Sequence, residues 1–463
     1  MDFSQALFWF IVLLSLPLLI LGNLLFRQKM VFQKCFILLL SLLLLGMASW
    51  QTLLIFVTVT WSAYAFCRMG RKLSVRGRRV LLGCMIPFLL APLLYYKYGY
   101  FIGENLFMQQ WDSLKCLIIP IGISFYTFQV IGFCIDTLMR GEAMPPFGDY
   151  MNFCAFFPQI VAGPIERRGE LLPQISAPQM TLCASDLNIG IRYILLGLFF
   201  KMAMADNLAM AFQQGYQGKS ALMVWVNNLL FTFRIYFDFA GYGLTAYGIA
   251  RCLGITLRMN FLSPYTAANI SEFWRRWHTS LTLWFRDYIY FPLGGSRTKR
   301  WALNILIVFL VSGLWHGAGW NFVIWGGFSG VAMVVHRIFR NRGFSLWPFV
   351  GWCMTFGMMV FVWMFFYDTD KNTLLYHLSL LCDTSAYGIH SFADAMSELK
   401  MRGAMILIFV PLSFMVIAAE YISGKCRHDP YALLLSTPSC ALMVLLTTVL
   451  EASEDSMFIY FAF

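Results

Sequence analysis

Six histidines occur in the 463 residues, and two of them stand in surroundings that ask for a chemical explanation. His316 lies in SGLWHGAGW (312–320), inside an apolar segment and flanked by Gly313, Gly317 and Gly319. An imidazole with an ordinary pKa near 6.5 can take and return a proton at neutral pH. An ionisable side chain within a membrane span usually faces a cavity and marks function. The small neighbours would let a substrate or another helix approach the ring closely. The plainer reading is a buried histidine bonded to a neighbouring helix. His278 lies in EFWRRWHTSL (272–281), between charges and tryptophans. There a wet interface would explain it without chemistry. His336 sits beside Arg337 at a span end and reads as an interfacial side chain, while His377, His390 and His428 fall in loops and carry no assigned role.

Other chemistries lack their signatures. No P-loop and no HExxH spacing is present. The twelve cysteines are scattered with no CxxC pair, many of them inside apolar runs, such as Cys35, Cys134 and Cys440. No metal site is expected. Gly163-Pro164 and Gly294-Gly295 read as helix breaks, and broken helices can form a transporter's midplane site. A transporter or flippase is therefore the rival class.

The elements that must hold these residues are membrane helices. Hydrophobic residues make up 59% of the chain and charged residues 12%, about half the share of a soluble domain. Apolar runs cover 5–26, 36–49, 51–67, 80–96, 115–137, 189–212, 221–240, 302–322, 323–340, 347–367, 403–422 and 431–450. Each approaches the ~20 residues that a bilayer core requires. The expected fold is all-α and polytopic, with about 11–12 spans. Phe8–Phe26 has no basic segment before it and reads as a retained first span. The net charge of +11 comes from Lys and Arg in short loops, which is the positive-inside bias and not a nucleic-acid surface. With Arg76, Arg78 and Arg79 in the cytoplasm, the acidic loop 368–402 and both termini face outward.

Segment 256–300 resists a simple span. Arg275, Arg276, Arg286 and Asp287 lie among Trp274, Trp277 and Trp284. Each charge at mid-bilayer costs about 2.5–3.5 kcal/mol. An amphipathic or protein-buried helix at the cytoplasmic boundary is expected, with Arg276 and Asp287 on one face. Pro292-Leu-Gly-Gly295 should follow as a re-entrant turn. The whole chain reads as one membrane domain: N-terminal spans over 1–114, a core over 115–340, and C-terminal spans with a tail over 341–463.

Several segments, in order, resemble the bacterial branch of the membrane-bound O-acyltransferase family. They are PIGISFYTFQ (120–129), FFPQIVAGPIERRGELLPQI (156–175), FDFAGYGLTAYGIARCLGI (237–255), NFLSPY (260–265), EFWRRWHTSLTLWFRDYIYFPLGGSR (272–297) and SGLWHGAGWNFVIWG (312–326). YIYFPLGGSR is similar to the alginate, peptidoglycan and cellulose O-acetylation proteins, whereas the D-alanyl transfer proteins share FWRRWH but less around PLGG. Two departures are Leu244 and Thr245, where the family often has an acid, and Tyr367, where Arg commonly follows the WxFF-like Trp363-Met-Phe-Phe366.

The resemblance implies helices around a thinned centre with a tunnel, a catalytic role for His316 and a supporting role for His278. It also nominates Tyr460 in the terminal FIYFAF (458–463) as an acyl acceptor, where the plain reading is an aromatic anchor. It implies transfer of an acyl group, in the first place acetyl, from a cytoplasmic thioester such as acetyl-CoA to an extracytoplasmic polysaccharide, with D-alanyl transfer to teichoic acid as an alternative. Acetyl-CoA would be a substrate, and no bound cofactor is expected. Arg275, Arg276, Arg297 and Trp315 are the substrate-binding candidates, the arginines for donor phosphates. His316 would act as general base or would itself carry the acyl group. No soluble transferase domain is apparent, so a periplasmic partner enzyme is expected. The expected location is the bacterial inner membrane.

Overall fold

A computed structural model describes residues 3, 5–109, 111–115, 117–160, 163–213, 216–427 and 429–450. The chain is 78% helical, with no strand among the described residues. Eight helices are long and apolar enough to cross a bilayer, and Ile123–Met139, Trp301–His316 and Thr437–Val449 are shorter apolar helices. Together with Ala221–Cys252, a 32-residue helix, they account for all twelve apolar runs of the sequence. The protein is a multi-pass, all-α membrane protein. Its outer helices carry large apolar side chains into the surroundings, as at Leu24 (77% exposed) and Leu407 (76%). Water would not tolerate such a surface, but lipid is as apolar as they are.

The contacts divide the described chain into two compact units, 1–194 with 243–259 and 195–242 with 260–463. In the first, Ala6–Leu25, Lys29–Ala48, Trp50–Gly70 and Val75–Leu93 follow one another with short turns. Ser49 and Ser74 cap the third and fourth, their hydroxyls accepting from Thr52 N–H at 3.4 Å and Gly77 N–H at 3.2 Å. The fourth does not end where its hydropathy falls. It runs on through a wider π-helical turn, Leu94–Tyr98, to Leu106.

Segment 156–175 is held to 256–258 by a dense polar weld. Gln174 accepts from Thr256 N–H at 2.8 Å and donates to its carbonyl at 3.0 Å. Glu166 accepts from Arg258 N–H at 2.6 Å, and Glu170 pairs with the Arg258 guanidinium. Arg168 binds Thr137 at 2.6 Å and Glu142 at 2.7 Å. Burial pushes the Glu166 carboxyl up to about 7, against the opposing pull of Arg258.

In the second unit, segment 260–300 is not one amphipathic helix. It forms two seven-residue helices, Ile270–Arg276 and Thr279–Phe285, then a π-helical turn, Arg286–Tyr290. The break falls at His278, whose φ of 43° is left-handed. Arg276 and Asp287 therefore do not share a helix face. Pro292–Gly295 does form a turn: Gly294 has φ 97°, and Asn304 donates to the Leu293 and Gly295 carbonyls, both at 3.1 Å. The supposed outward loop 368–402 is also largely helical, over Lys371–Cys382 and the start of Ile389–Arg427. At 39 residues the latter is about 58 Å long, and hydropathy reports only the part that matches a bilayer core of about 30 Å.

Candidate functional site

His316 is the last residue of helix Trp301–His316, and helix Trp320–Asn341 begins four residues later. Gly317 and Gly319 between them are extended, with φ of −162° at both, a backbone open to any residue. Their glycines are required by space. A Cβ on Gly317 would lie 2.0 Å from the Phe322 ring, and one on Gly313 would lie 2.2 Å from the Phe322 carbonyl oxygen. On the facing helix, a Cβ on Gly326 would meet the Phe309 carbonyl oxygen at 2.3 Å. The small residues thus serve helix-on-helix packing, which fixes the height and direction of the His316 ring. That ring is buried, edge-on to Trp325 at 5.0 Å and to Phe366 at 5.3 Å between centroids.

His278 reaches the same region from a strained backbone. A non-glycine residue in the left-handed region costs about 1–3 kcal/mol and persists only where its surroundings impose it. Here they do. Thr279 N–H donates to Asn260 O at 2.9 Å, the Ser280 hydroxyl to Asn260 Oδ1 at 2.7 Å, and Leu262 N–H to Arg276 O at 3.0 Å. The ring stands edge-on to Phe239 at 4.8 Å and to Trp315 at 5.8 Å. Trp315 in turn lies 4.9 Å from the His316 ring. One indole therefore separates two imidazoles that are distant in sequence.

Both imidazoles line one cavity of about 270 Å³. Trp274, Trp277, Phe309 and Ser312 form much of its wall. Arg275, Arg286 and Arg340, all exposed, and half-buried Arg337 line it too. No carboxylate is among its lining residues, all of which are described. The cavity therefore joins a cationic, accessible side to an aromatic interior that holds two buried histidines. Such a shape suits an elongated ligand with an anionic end and a reactive uncharged end.

The candidates from sequence divide accordingly. Arg275 lines the cavity. Arg276 does not; it pairs with Glu272 and donates to the Thr266 hydroxyl at 2.6 Å, bracing the loop before its helix. Arg297 is exposed in the turn after Gly295 and is outside the lining. Trp315 packs between the two rings without lining the cavity. Tyr460, like His428, lies outside the described residues. Sequence reasoning missed Arg286, Arg337 and Arg340, and gave His336 only an interfacial role although it lines the same cavity. Their signal was the helical spacing of His336, Arg337 and Arg340, which places them on adjacent faces of one helix end. Tyr367, the departure from the usual Arg, donates to Asn228 Oδ1 at 2.6 Å. Among the described residues no group of His, Cys, Asp or Glu is arranged to hold a metal.

Comparison with known proteins now bears on this geometry. Residues 142–377, which hold both histidines and the whole cavity, match the profile of MBOAT, the membrane-bound O-acyltransferase family. The chain belongs to that family. It is 31% identical over 420 residues to a peptidoglycan O-acetyltransferase of Helicobacter pylori, covering 80% of each chain. It is 33% identical over 386 residues to the probable alginate O-acetylase AlgI of Pseudomonas aeruginosa, covering 80% of this chain and 73% of the relative. A teichoic acid D-alanyltransferase of Streptococcus thermophilus is 26% identical over 356 residues, covering 72% of this chain and 83% of the relative. This MBOAT protein is an acyltransferase. The resemblance read from the sequence motifs is thereby borne out, and the match takes in the EFWRRWH and SGLWHGAGW segments.

Proposed function

We propose that the protein moves an acetyl group from cytoplasmic acetyl-CoA through the bacterial inner membrane for O-acetylation of an extracytoplasmic polysaccharide. One observation carries the reading: His278 and His316 line a single cavity whose accessible side holds four arginines. Arg275, Arg286, Arg337 and Arg340 bind the donor's phosphates, and the pantetheine arm runs inward past the tryptophans to bring the thioester to the histidines. His316 takes the proton of an acceptor hydroxyl as its oxygen attacks the thioester carbonyl. The thiolate leaves and recovers that proton from the imidazolium. A positioned base of this kind contributes about 10²–10⁴-fold. His278 orients the thioester and polarises its carbonyl. The acceptor is the Tyr460 phenol, which passes the acetyl group to a periplasmic transferase partner. A phenol of pKa about 10 needs such a base at neutral pH.

D-alanyl transfer is the second reading, favoured by the 26% identity to a teichoic acid D-alanyltransferase. The two differ in donor. Purified protein in nanodiscs should transfer label from acetyl-CoA to its own C-terminal peptide, found by mass spectrometry at Tyr460 and absent in Tyr460→Phe. Label that requires an aminoacyl carrier protein would move the chain to the second reading. Undiminished polysaccharide acetylation by Tyr460→Phe would remove that tyrosine from the path.

A further inference from the structure

His377 lies outside the cavity, and its surroundings differ from the loop expected for it. It is buried on helix Lys371–Cys382, 1% exposed. Its Nδ1 is 2.6 Å from Asp368 Oδ2, and its Nε2 is 2.8 Å from the Tyr216 carbonyl oxygen. The Tyr216 ring stacks on the imidazole at 6.2 Å. A carbonyl can only accept a hydrogen bond, and so can a carboxylate. With Asp368 ionised, both contacts are satisfied together only when both ring nitrogens carry protons.

Asp368 ends a short segment that lies against His316. Phe366 packs on the His316 ring. Besides the backbone bonds of its helical turn, polar bonds tie its neighbours to the surrounding helices. Trp363 Nε1–H donates to Tyr265 Oη at 3.1 Å, Asn321 Nδ2–H donates to Phe365 O at 3.0 Å, and Tyr367 Oη–H donates to Asn228 at 2.6 Å. The Asp368–His377–Tyr216 clasp closes the series two residues from Phe366.

We infer that His377 and Asp368 are positioning residues for His316: their ion pair, anchored on the Tyr216 carbonyl, holds the Phe366 segment against the catalytic ring. The inference rests on the proposed role of His316. Losing one imidazole proton leaves a lone pair facing either the carboxylate or the carbonyl, and one side of the clasp releases. Burial by itself would lower the His377 pKa, but the Asp368 hydrogen bond and charge and the Tyr216 carbonyl outweigh it and raise it above the ordinary value. Burial raises Asp368 as well, opposed by the His377 hydrogen bond and charge. The other charged groups on these elements are Asp370, which acts on Asp368, and the exposed Lys219 and Lys371. The phenols of Tyr216, Tyr367 and Tyr376 lie on the same elements. A group whose folded pKa is raised holds its contribution at low pH and loses it as pH rises through that value. The clasp is therefore closed at lower pH and opens as pH rises through the raised His377 value.

The test joins a structural readout to a kinetic one. Gln217, exposed beside Tyr216, is replaced by Cys, and its alkylation is read by peptide mass spectrometry as a ratio to exposed native Cys382. The ratio should rise several-fold between about pH 6 and about pH 9. Asp368→Asn and His377→Gln should raise it at neutral pH and lower kcat with the donor KM unchanged. In Asp368→Asn the alkaline limb of kcat should move to lower pH. If a variant is not recovered folded, the pH dependence of the ratio in the Gln217→Cys protein decides alone. A ratio flat in pH, or full kcat in Asp368→Asn with a raised ratio, overturns the inference. Normal activity in His316→Ala would instead overturn the reading of the site, while the labelling ratio still reports the clasp.

Discussion

The weld of 156–175 and the histidine cavity are both written in polar residues within an apolar chain, yet they use them in opposite ways. In the weld, Glu166, Arg168, Glu170 and Gln174 each meet a partner in the protein, much of it backbone. For buried Glu166 and Arg168 these partners answer the cost of burying polar groups, and the more exposed Glu170 and Gln174 are likewise bonded within the protein. In the second unit, His278, His316 and four arginines line one open volume, although Arg286 also pairs with Asp287 at 2.7 Å and Arg337 donates to Tyr290 Oη at 3.2 Å. Arg275 and Arg276 repeat the contrast between neighbours. One lines the cavity, and the other is used up by Glu272 and Thr266. A motif match therefore does not separate chemistry from architecture; the direction of the side chain does.

The contrast is sharpest under substitution. His278→Ala removes a ring from the cavity wall and leaves the left-handed backbone as it is, since only glycine would relieve it. Acyl transfer should fall about 10²–10⁴-fold while the protein is recovered in normal yield with unchanged melting. Loss of transfer only through loss of folded protein would move His278 to the architectural group. Gln174→Ala should do the reverse. It strips both of its bonds to exposed Thr256, at a cost of about 0.5–1.5 kcal/mol, since water can replace the lost partner. The melting temperature in detergent should fall, with kcat per folded molecule retained. A kcat loss at full stability would place the weld in the chemistry.

Glu166→Gln should have the smallest effect, and it depends on pH. Burial raises the Glu166 carboxyl to about 7. Between its unfolded value near 4.3 and about 7, folding takes up a proton, so stability falls as pH rises through that window. The Gln variant carries no charge to bury. It should match the wild type near pH 5 and melt a few degrees higher near pH 8. Equal melting at both values would remove the penalty assigned to that carboxylate.

Much of this was legible in the sequence because a bilayer imposes one period and one length. Every apolar run became a helix. Charged helix extensions were not legible, since hydropathy stops at the lipid while hydrogen bonding does not; Leu94–Leu106 and the start of Ile389–Arg427 are the cases. His316 stood out because an imidazole between glycines in an apolar segment is costly. The convergence of His278 on it could not be read, because a left-handed residue at 278 and a turn at 317–319 set the meeting point, and neither has a hydropathy signature. Arg337 and Arg340 were hidden for the opposite reason. Cations at a span end are expected on topological grounds alone, and only the cavity distinguishes those that face it. His377 looked like a loop residue until its two acceptors were in place.

The central claim is that His316 performs acyl transfer in a cavity built around it. Its most direct test is single-turnover transfer from labelled acetyl-CoA by purified His316→Ala, beside wild type, in nanodiscs. The packing around Gly313, Gly317 and Gly326 does not depend on the imidazole. The variant should therefore fold, bind the donor with wild-type affinity, and transfer no label above background. Transfer at the wild-type rate by a folded His316→Ala protein would contradict the account.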